Sequence, residues 1–191
     1  KMSRREEKAA ATRRQFLDAA FHCLFELGYH GTSTVAVCER AGLARGTMLH
    51  HFPNKEALML ATLEDVLVRR VSEFQTQLAG IESTDLSTMV QRLWSAVKGP
   101  TFGAWLELAV AARTNKVLAT EFRTVMIRFE TLVSAVVEES ISPEIALGYD
   151  LQLAVSLVFS TMNGLALDLV QVEEAVVEQK VELLIAWLSE R

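Results

Sequence analysis

The sequence predicts an all-α protein, with an N-terminal three-helix helix-turn-helix domain followed by a C-terminal helical domain. Three observations predict it. Apolar residues recur along most of the chain at the i, i+3, i+4 spacing of one helix face. No segment alternates apolar and polar residues about a hairpin dipeptide, so no strand is expected. Two short helical patterns between Gly31 and Pro53 meet at Gly42, as in an αα-hairpin or a helix-turn-helix. The domain boundary is expected after Pro53, giving residues 1–53 and 54–191.

Residues 1–11, charged and alanine-rich, are expected to be a frayed lead-in. The first firm helix is expected over 12–27, where Phe16, Leu17, Ala20, Phe21, Leu24 and Phe25 make a broad apolar stripe. Gly28 ends it. The cluster Thr32-Ser33-Thr34 supplies hydroxyls to cap a second helix, which runs to about Arg40 with Val37, Cys38 and Ala41 facing inward. Gly42 can turn the chain in a left-handed conformation at no Cβ cost. A third helix, 45–52, buries Met48 and Phe52 at i and i+4 and is stopped by Pro53. Its other side carries Arg45, Gly46, Thr47, His50 and His51, and Gly46 is poor helix material, so something other than helicity favours it.

Asn54 is expected to cap a long helix over 55–78, closed by Gly80 and the polar run 82–85. Further helices are expected at 86–97, 102–114, 116–140, 144–169 and 172–189, with Pro100 and Pro143 between helices. The stretch from Leu151 to Leu169 is apolar nearly all round and has to be covered on more than one side. Together with Val172, Val176, Leu183, Leu184, Trp187 and Leu188 it can form half of a four-helix bundle completed by a second copy.

Half of the 191 residues are apolar and mean hydropathy is +0.22, an excess that asks for burial beyond one subunit. No apolar run is long enough to span a bilayer, and the charged N-terminus has no signal-peptide core, so a cytoplasmic protein is expected. The net charge of −5 hides an asymmetry. Residues 1–55 carry nine Lys/Arg against five Asp/Glu, while 56–191 carry ten against nineteen. A basic head on an acidic body orients a molecule toward a polyanion. Cys23 and Cys38 sit at apolar helical positions and read as small buried hydrophobes, with no zinc spacing.

The run Ala41-Gly42-Leu43-Ala44-Arg45-Gly46-Thr47-Met48-Leu49-His50-His51-Phe52-Pro53-Asn54-Lys55-Glu56-Ala57-Leu58, with Gly28-Tyr29 and Thr32-Ser33-Thr34 upstream, resembles the N-terminal domain of the tetracycline-repressor (TetR) family over residues 12–63. There are departures. Ala44 stands where the family commonly has Ser, Leu49 where it has Tyr, and Val35 and Ala36 where an acidic residue is frequent. The phosphate contacts of that Ser and Tyr do not carry over.

The resemblance implies a homodimeric, ligand-responsive regulator, repressing more often than activating, that binds a near-palindromic operator in double-stranded DNA. Its recognition helices would enter successive major grooves about 34–36 Å apart. On that reading Arg45, Thr47 and His50 meet base edges or adjacent phosphates, Gly46 allows close approach of a DNA strand, and Thr34, His51 and Lys55 position the backbone. Arg4, Arg5, Lys8, Arg13 and Arg14 either reach flanking phosphates or form a solvated surface. The family also implies a body pocket for a small, lipophilic effector. Trp94, Phe102, Trp105, Met126, Phe129 and Asn163 are candidates to line it, or else core residues.

Two readings from other classes stand beside it. A helical enzyme or metal-binding bundle would need Glu-x-x-His pairs, a nucleophile motif or a phosphate loop; all four histidines lie in the head, and no catalytic residue, metal ligand or cofactor is expected. A DNA-binding protein without an effector, acting through a protein partner, is compatible with a fully packed body.

Overall fold

Ser3 starts the fold with a capping box: its Oγ accepts from the Glu6 N–H, and its own N–H donates to Glu6 Oε2 at 2.7 Å. The first helix, α1 (Arg4–Gly31), therefore begins eight residues earlier than expected, and residues 4–11 of the segment expected to fray are helical. This computed structural model describes residues 3–79, 86–140 and 150–189. Within them it holds eight further helices and no strand: α2 (Thr34–Ala41), α3 (Arg45–His51), α4 (Lys55–Leu78), α5 (Leu86–Val97), α6 (Pro100–Ala112), α7 (Lys116–Ser140), α8 (Leu151–Asp168) and α9 (Glu174–Ser189). Gly80, the run 82–85 and Pro143 fall outside the described residues.

The chain divides into two compact units, Lys1–Val68 with Gly103–Val125 and Arg69–Phe102 with Met126–Arg191. In the first, α1 packs on α2 and α3. Phe16, Leu17, Ala20, Phe21 and Leu24 are buried as expected, joined by Ala19 and Cys23. Phe25 is half-exposed, since one residue beyond Leu24 lies about 100° further round the helix, past the edge of the stripe. Its ring leans on Gly103, where an added Cβ would come within 2.9 Å of it.

Gly28 (φ 70°, ψ 176°) kinks α1. Its carbonyl accepts both the Thr32 N–H at 3.0 Å and the Thr32 hydroxyl at 2.7 Å. Ser33 then caps α2 by accepting the Ala36 N–H at 3.0 Å. Gly42 takes the left-handed conformation (φ 65°, ψ 28°), and Leu43 N–H closes onto Cys38 O at 3.1 Å, the six-to-one bond of a Schellman turn. Phe52, ahead of Pro53, is extended and ends α3. Asn54 caps α4 through the Ala57 N–H at 2.8 Å.

In the second unit α5, α8 and α9 pack on one another. Pro100 occupies the first position of α6 rather than the gap before it, because a missing N–H costs nothing in a first helical turn. Asp150 caps α8 at Leu151 through the Gln152 and Leu153 N–H groups, and residues 144–149 of the expected helix lie outside the described residues. Phe159, Met162 and Ala166 are buried, but Leu153 is 70% exposed, Leu157 67% and Trp187 62%. One chain thus covers one side of α8 and leaves the other bare. None of the described helices is long and apolar enough to cross a membrane.

Candidate functional site

The α2–turn–α3 segment is fixed from behind. Met48 and Phe52 are fully buried, and Phe52 meets Phe16 edge-on with centroids 6.3 Å apart. Gln15 Nε2 donates to Ala41 O at 2.9 Å, tying α1 to the end of α2. With that side of α3 committed to the core, Arg45, Gly46, Leu49 and His50 are exposed, and Thr34, Thr47 and His51 are half-buried. A Cβ built on Gly46 would meet nothing within 4 Å, so no packing inside the protein calls for glycine there. The His51 ring lies 6.3 Å from Phe16 and 5.6 Å from His50, which settles it against the core edge. Leu49, which the sequence reading passed over as a lost phosphate contact, adds an apolar group to the outward face, suited to a thymine methyl.

Several basic residues of the head have partners within the chain. Arg14 Nη1 donates to the buried carboxylate of Asp65 at 2.6 Å, the Arg13 guanidinium lies 5.3 Å from the Phe52 ring centroid, and Arg40 pairs with Glu26. Lys55, expected to position the DNA backbone, donates to Tyr29 O at 2.9 Å with its ammonium 4.7 Å from the Tyr29 ring centroid. Burial lowers its pKa, as expected for a cation taken partly out of water. Nearby, the Tyr29 N–H, released from the helical ladder by the Gly28 kink, donates to Glu107 Oε2 at 2.8 Å. Glu107 and Lys55 thus clamp the kink from two helices. Cys23 and Cys38 are buried free thiols whose pKa values burial pushes up, the reverse of what a reactive thiol needs.

In the second unit, Phe102 and Phe129 are buried around a residue the sequence reading missed. Arg70 is 3% exposed, with its guanidinium carbon 5.2 Å from the Phe129 centroid and 5.9 Å from those of Phe74 and Phe102. Burial lowers its pKa to about 10, opposed by the Glu73 carboxylate, so it stays charged at neutral pH. Phe74, Phe129 and Phe159 complete the wall, with centroids 4.7 to 5.7 Å apart. Asn163, one turn beyond Phe159, has a buried Oδ1 with no hydrogen-bond partner among the described residues, and the Ser134 hydroxyl on α7 likewise has none among them. Met126 is half-buried one turn before Phe129. Trp94 is taken up by packing: its indole N–H donates to Glu178 at 3.0 Å, joining α5 to α9. Trp105 belongs to the first unit, its ring 5.9 Å from Phe122. A signal for Arg70 did exist, a charge falling on the buried face of α4 among Val66, Leu67 and Phe74.

Among the described residues no group of three His, Cys, Asp or Glu is placed to hold a metal ion. Residues 16–62 match the family model described as bacterial regulatory proteins, tetR family. An uncharacterized HTH-type transcriptional regulator of Mycobacterium tuberculosis is 32% identical over 125 residues, covering 64% of this chain and 62% of the relative. The match thus spans less than two thirds of that relative's length. Two solved structures share the fold over nearly the whole chain. FadR from Bacillus subtilis in complex with stearoyl-CoA has a TM-score of 0.65 at 19% identity, covering 90% of this chain and 97% of that one. A regulator from Saccharomonospora viridis in complex with choline has a TM-score of 0.72 at 16% identity, covering 93% and 96%. All three are described as transcriptional regulators.

Proposed function

We propose that this chain, whose residues 16–62 match the model for the tetR family of bacterial regulatory proteins, is a cytoplasmic, homodimeric repressor of that family, released from a near-palindromic operator by a small lipophilic effector. One observation carries the DNA-binding half. On α3 Met48 is buried while Arg45, Gly46 and His50 are exposed and Thr47 is half-buried, and Gly46 has open space above it. Such a surface admits a DNA strand close to the backbone. Arg45, Thr47 and His50 are assigned to base edges and adjacent phosphates, and Thr34 and His51 to the backbone. Lys55 is assigned to holding Tyr29 in place, with phosphate contact secondary.

The bare side of α8, with exposed Leu153, Leu157 and Leu167, and the exposed Val176, Leu183 and Trp187 of α9 support dimerisation. A monomer rarely leaves that much contiguous apolar surface in water. The effector half is supported by the buried, incompletely bonded polar atoms of the second unit. Fold likeness does not choose the ligand, since the neighbours above bind molecules as unlike as stearoyl-CoA and choline.

The test begins with selection of bound fragments from random duplex DNA. The enriched site should be an inverted repeat with half-sites one helical turn apart. Arg45→Ala and Thr47→Ala should each weaken binding to it by about tenfold, in line with ~1–3 kcal/mol per base contact, with the dimer unchanged by sedimentation. Undiminished binding by both variants would refute the assignment of α3. Leu157→Glu should give monomers that no longer bind the repeat, and a dimeric Leu157→Glu would refute the assignment of α8.

A further inference from the structure

We infer that the N-terminal end of α1, residues 4–11, forms a second DNA contact, in which Arg4, Arg5 and Lys8 meet the phosphates flanking each half-site. This rests on the DNA-binding reading above and lengthens the surface it uses. The segment is helical and closed at its start by the Ser3–Glu6 capping box, yet every residue from Ser3 to Ala11 is exposed. Successive residues of a helix are turned by about 100°. On that count Arg4, Lys8 and Arg5 fall within one arc of about 100°, which also holds Gln15, Ala19 and Cys23, while Glu6 and Glu7 fall outside it. Further along α1 this arc is the side that packs on the reading helices. Ala19 and Cys23 are buried in it, and Gln15 Nε2 donates to Ala41 O at 2.9 Å. Phe16, about 20° past its edge, meets His51 and Phe52 with ring centroids 6.3 Å away. α2 and α3 thus cover the arc from Gln15 onward and leave it bare over residues 4–11, where it is cationic.

The next cations along the head are already engaged: Arg13 lies over the Phe52 ring, Arg14 pairs with Asp18 and Asp65, and Arg40 pairs with Glu26. Arg4, Arg5 and Lys8 form no ion pair among the described residues. The nearest acids do not neutralise them from the same side, since Glu6 is turned back onto the Ser3 N–H and Glu7 lies outside the arc. A polyanion seated on α3 is the occupant that complements this charge, because the bare arc continues the side of α1 on which α2 and α3 rest. The reach also fits. At about 1.5 Å per residue, Lys8 and Arg4 stand roughly 10 and 17 Å ahead of Gln15 along the helix axis. The major groove that would take α3 is about 12 Å wide. Side chains that far from the turn meet a strand at or beyond the groove's edge, where phosphates rather than base edges are presented. Such contacts fix register and orientation and carry no base preference.

The experiment uses the full chain and two duplexes carrying the selected repeat, one trimmed to the outer edge of each half-site and one extended on both sides by about ten base pairs, one helical turn. Affinity for each is read by anisotropy over a series of salt concentrations. The wild type should bind the extended duplex at least tenfold more tightly than the trimmed one. Arg4→Ala, Arg5→Ala and Lys8→Ala combined put the best helix former at exposed positions, so the helix stays. That variant should bind the two duplexes alike, and on the extended one its slope of log affinity against log salt should fall by about 0.9 for each phosphate contact removed. Ala9→Pro keeps every charge but interrupts the helix between residues 4–8 and the rest of α1, and should lose most of the preference for the extended duplex. A wild type indifferent to the extension, or a triple variant that keeps both the preference and the slope, would overturn the contact while leaving the α3 reading intact. An Ala9→Pro protein with the full preference would overturn the helical placement of the three cations. If the wild type holds neither duplex, the DNA-binding reading fails and the contact fails with it.

Discussion

The kink at Gly28 sets up the sharpest mutational test. Replacing Gly28 by Ala places a side chain at φ 70°, ψ 176°, a region open essentially to glycine alone, at a cost of about 1–3 kcal/mol. The added Cβ would also stand 2.9 Å from Glu107 Oε2 and 3.4 Å from its Cδ. The carboxylate can swing away, but only by giving up the 2.8 Å bond from the Tyr29 N–H. A hydrogen bond to a charged group contributes about 1.5–3 kcal/mol, less here because Glu107 is only half-buried, so about 1 kcal/mol is at stake. Gly28→Ala should therefore destabilise by about 3 kcal/mol in all, and Glu107→Ala alone by about 1 kcal/mol. In the double variant the carboxylate is no longer there to be displaced, so the two losses should fall short of additive by about 1 kcal/mol. Urea titration followed by circular dichroism measures all three, with unchanged slopes required for the comparison. A Gly28→Ala loss under 1 kcal/mol, or strictly additive losses, would refute the clamp.

Other outcomes follow from the same contacts. Ala44 sits at the N-cap of α3 with extended backbone and offers no side-chain bond, so Ala44→Ser should stabilise the protein by about 1 kcal/mol, read as a higher urea midpoint. Cys23 and Cys38, buried with raised pKa values, should resist a disulfide reagent at pH 8 in the native state and react together on unfolding; fast native labelling of either would contradict the packing. The Glu178 carboxyl is held below its ordinary value of 4.5 by the Lys98 ammonium and the Trp94 N–H. A depressed acid pKa contributes stability that is present above 4.5 and lost as pH falls through the folded value. Glu178→Gln should therefore lie below the wild type at pH 7 and converge with it toward pH 3, whereas a constant difference would mean that the charge plays no part.

The head was legible because its signals are local. The stripe from Phe16 to Leu24, the hydroxyl of Ser33, the left-handed Gly42 and the stop at Pro53 each act within about one helical turn, and each element formed where those residues place it. The start of α1 was missed because Ser3 and Glu6 form a capping box in a stretch whose composition otherwise reads as unstructured. Phe25 was misjudged because a stripe's edge is a matter of which neighbour covers it.

What the sequence determined by itself is the all-α class, the helix-turn-helix and the inward side of α3, all fixed by periodicity and turn chemistry over a few residues. Tertiary structure alone decided the rest: Glu107 on the Tyr29 amide, Lys55 drawn onto Tyr29, Asp65 buried against Arg14, and Arg70 enclosed by phenylalanines from three helices. Those partners lie 26 to 78 residues apart where hydrogen bonds join them to the head. A charge reads the same in sequence whether it meets water or a buried ring, and only packing settles which surrounds it.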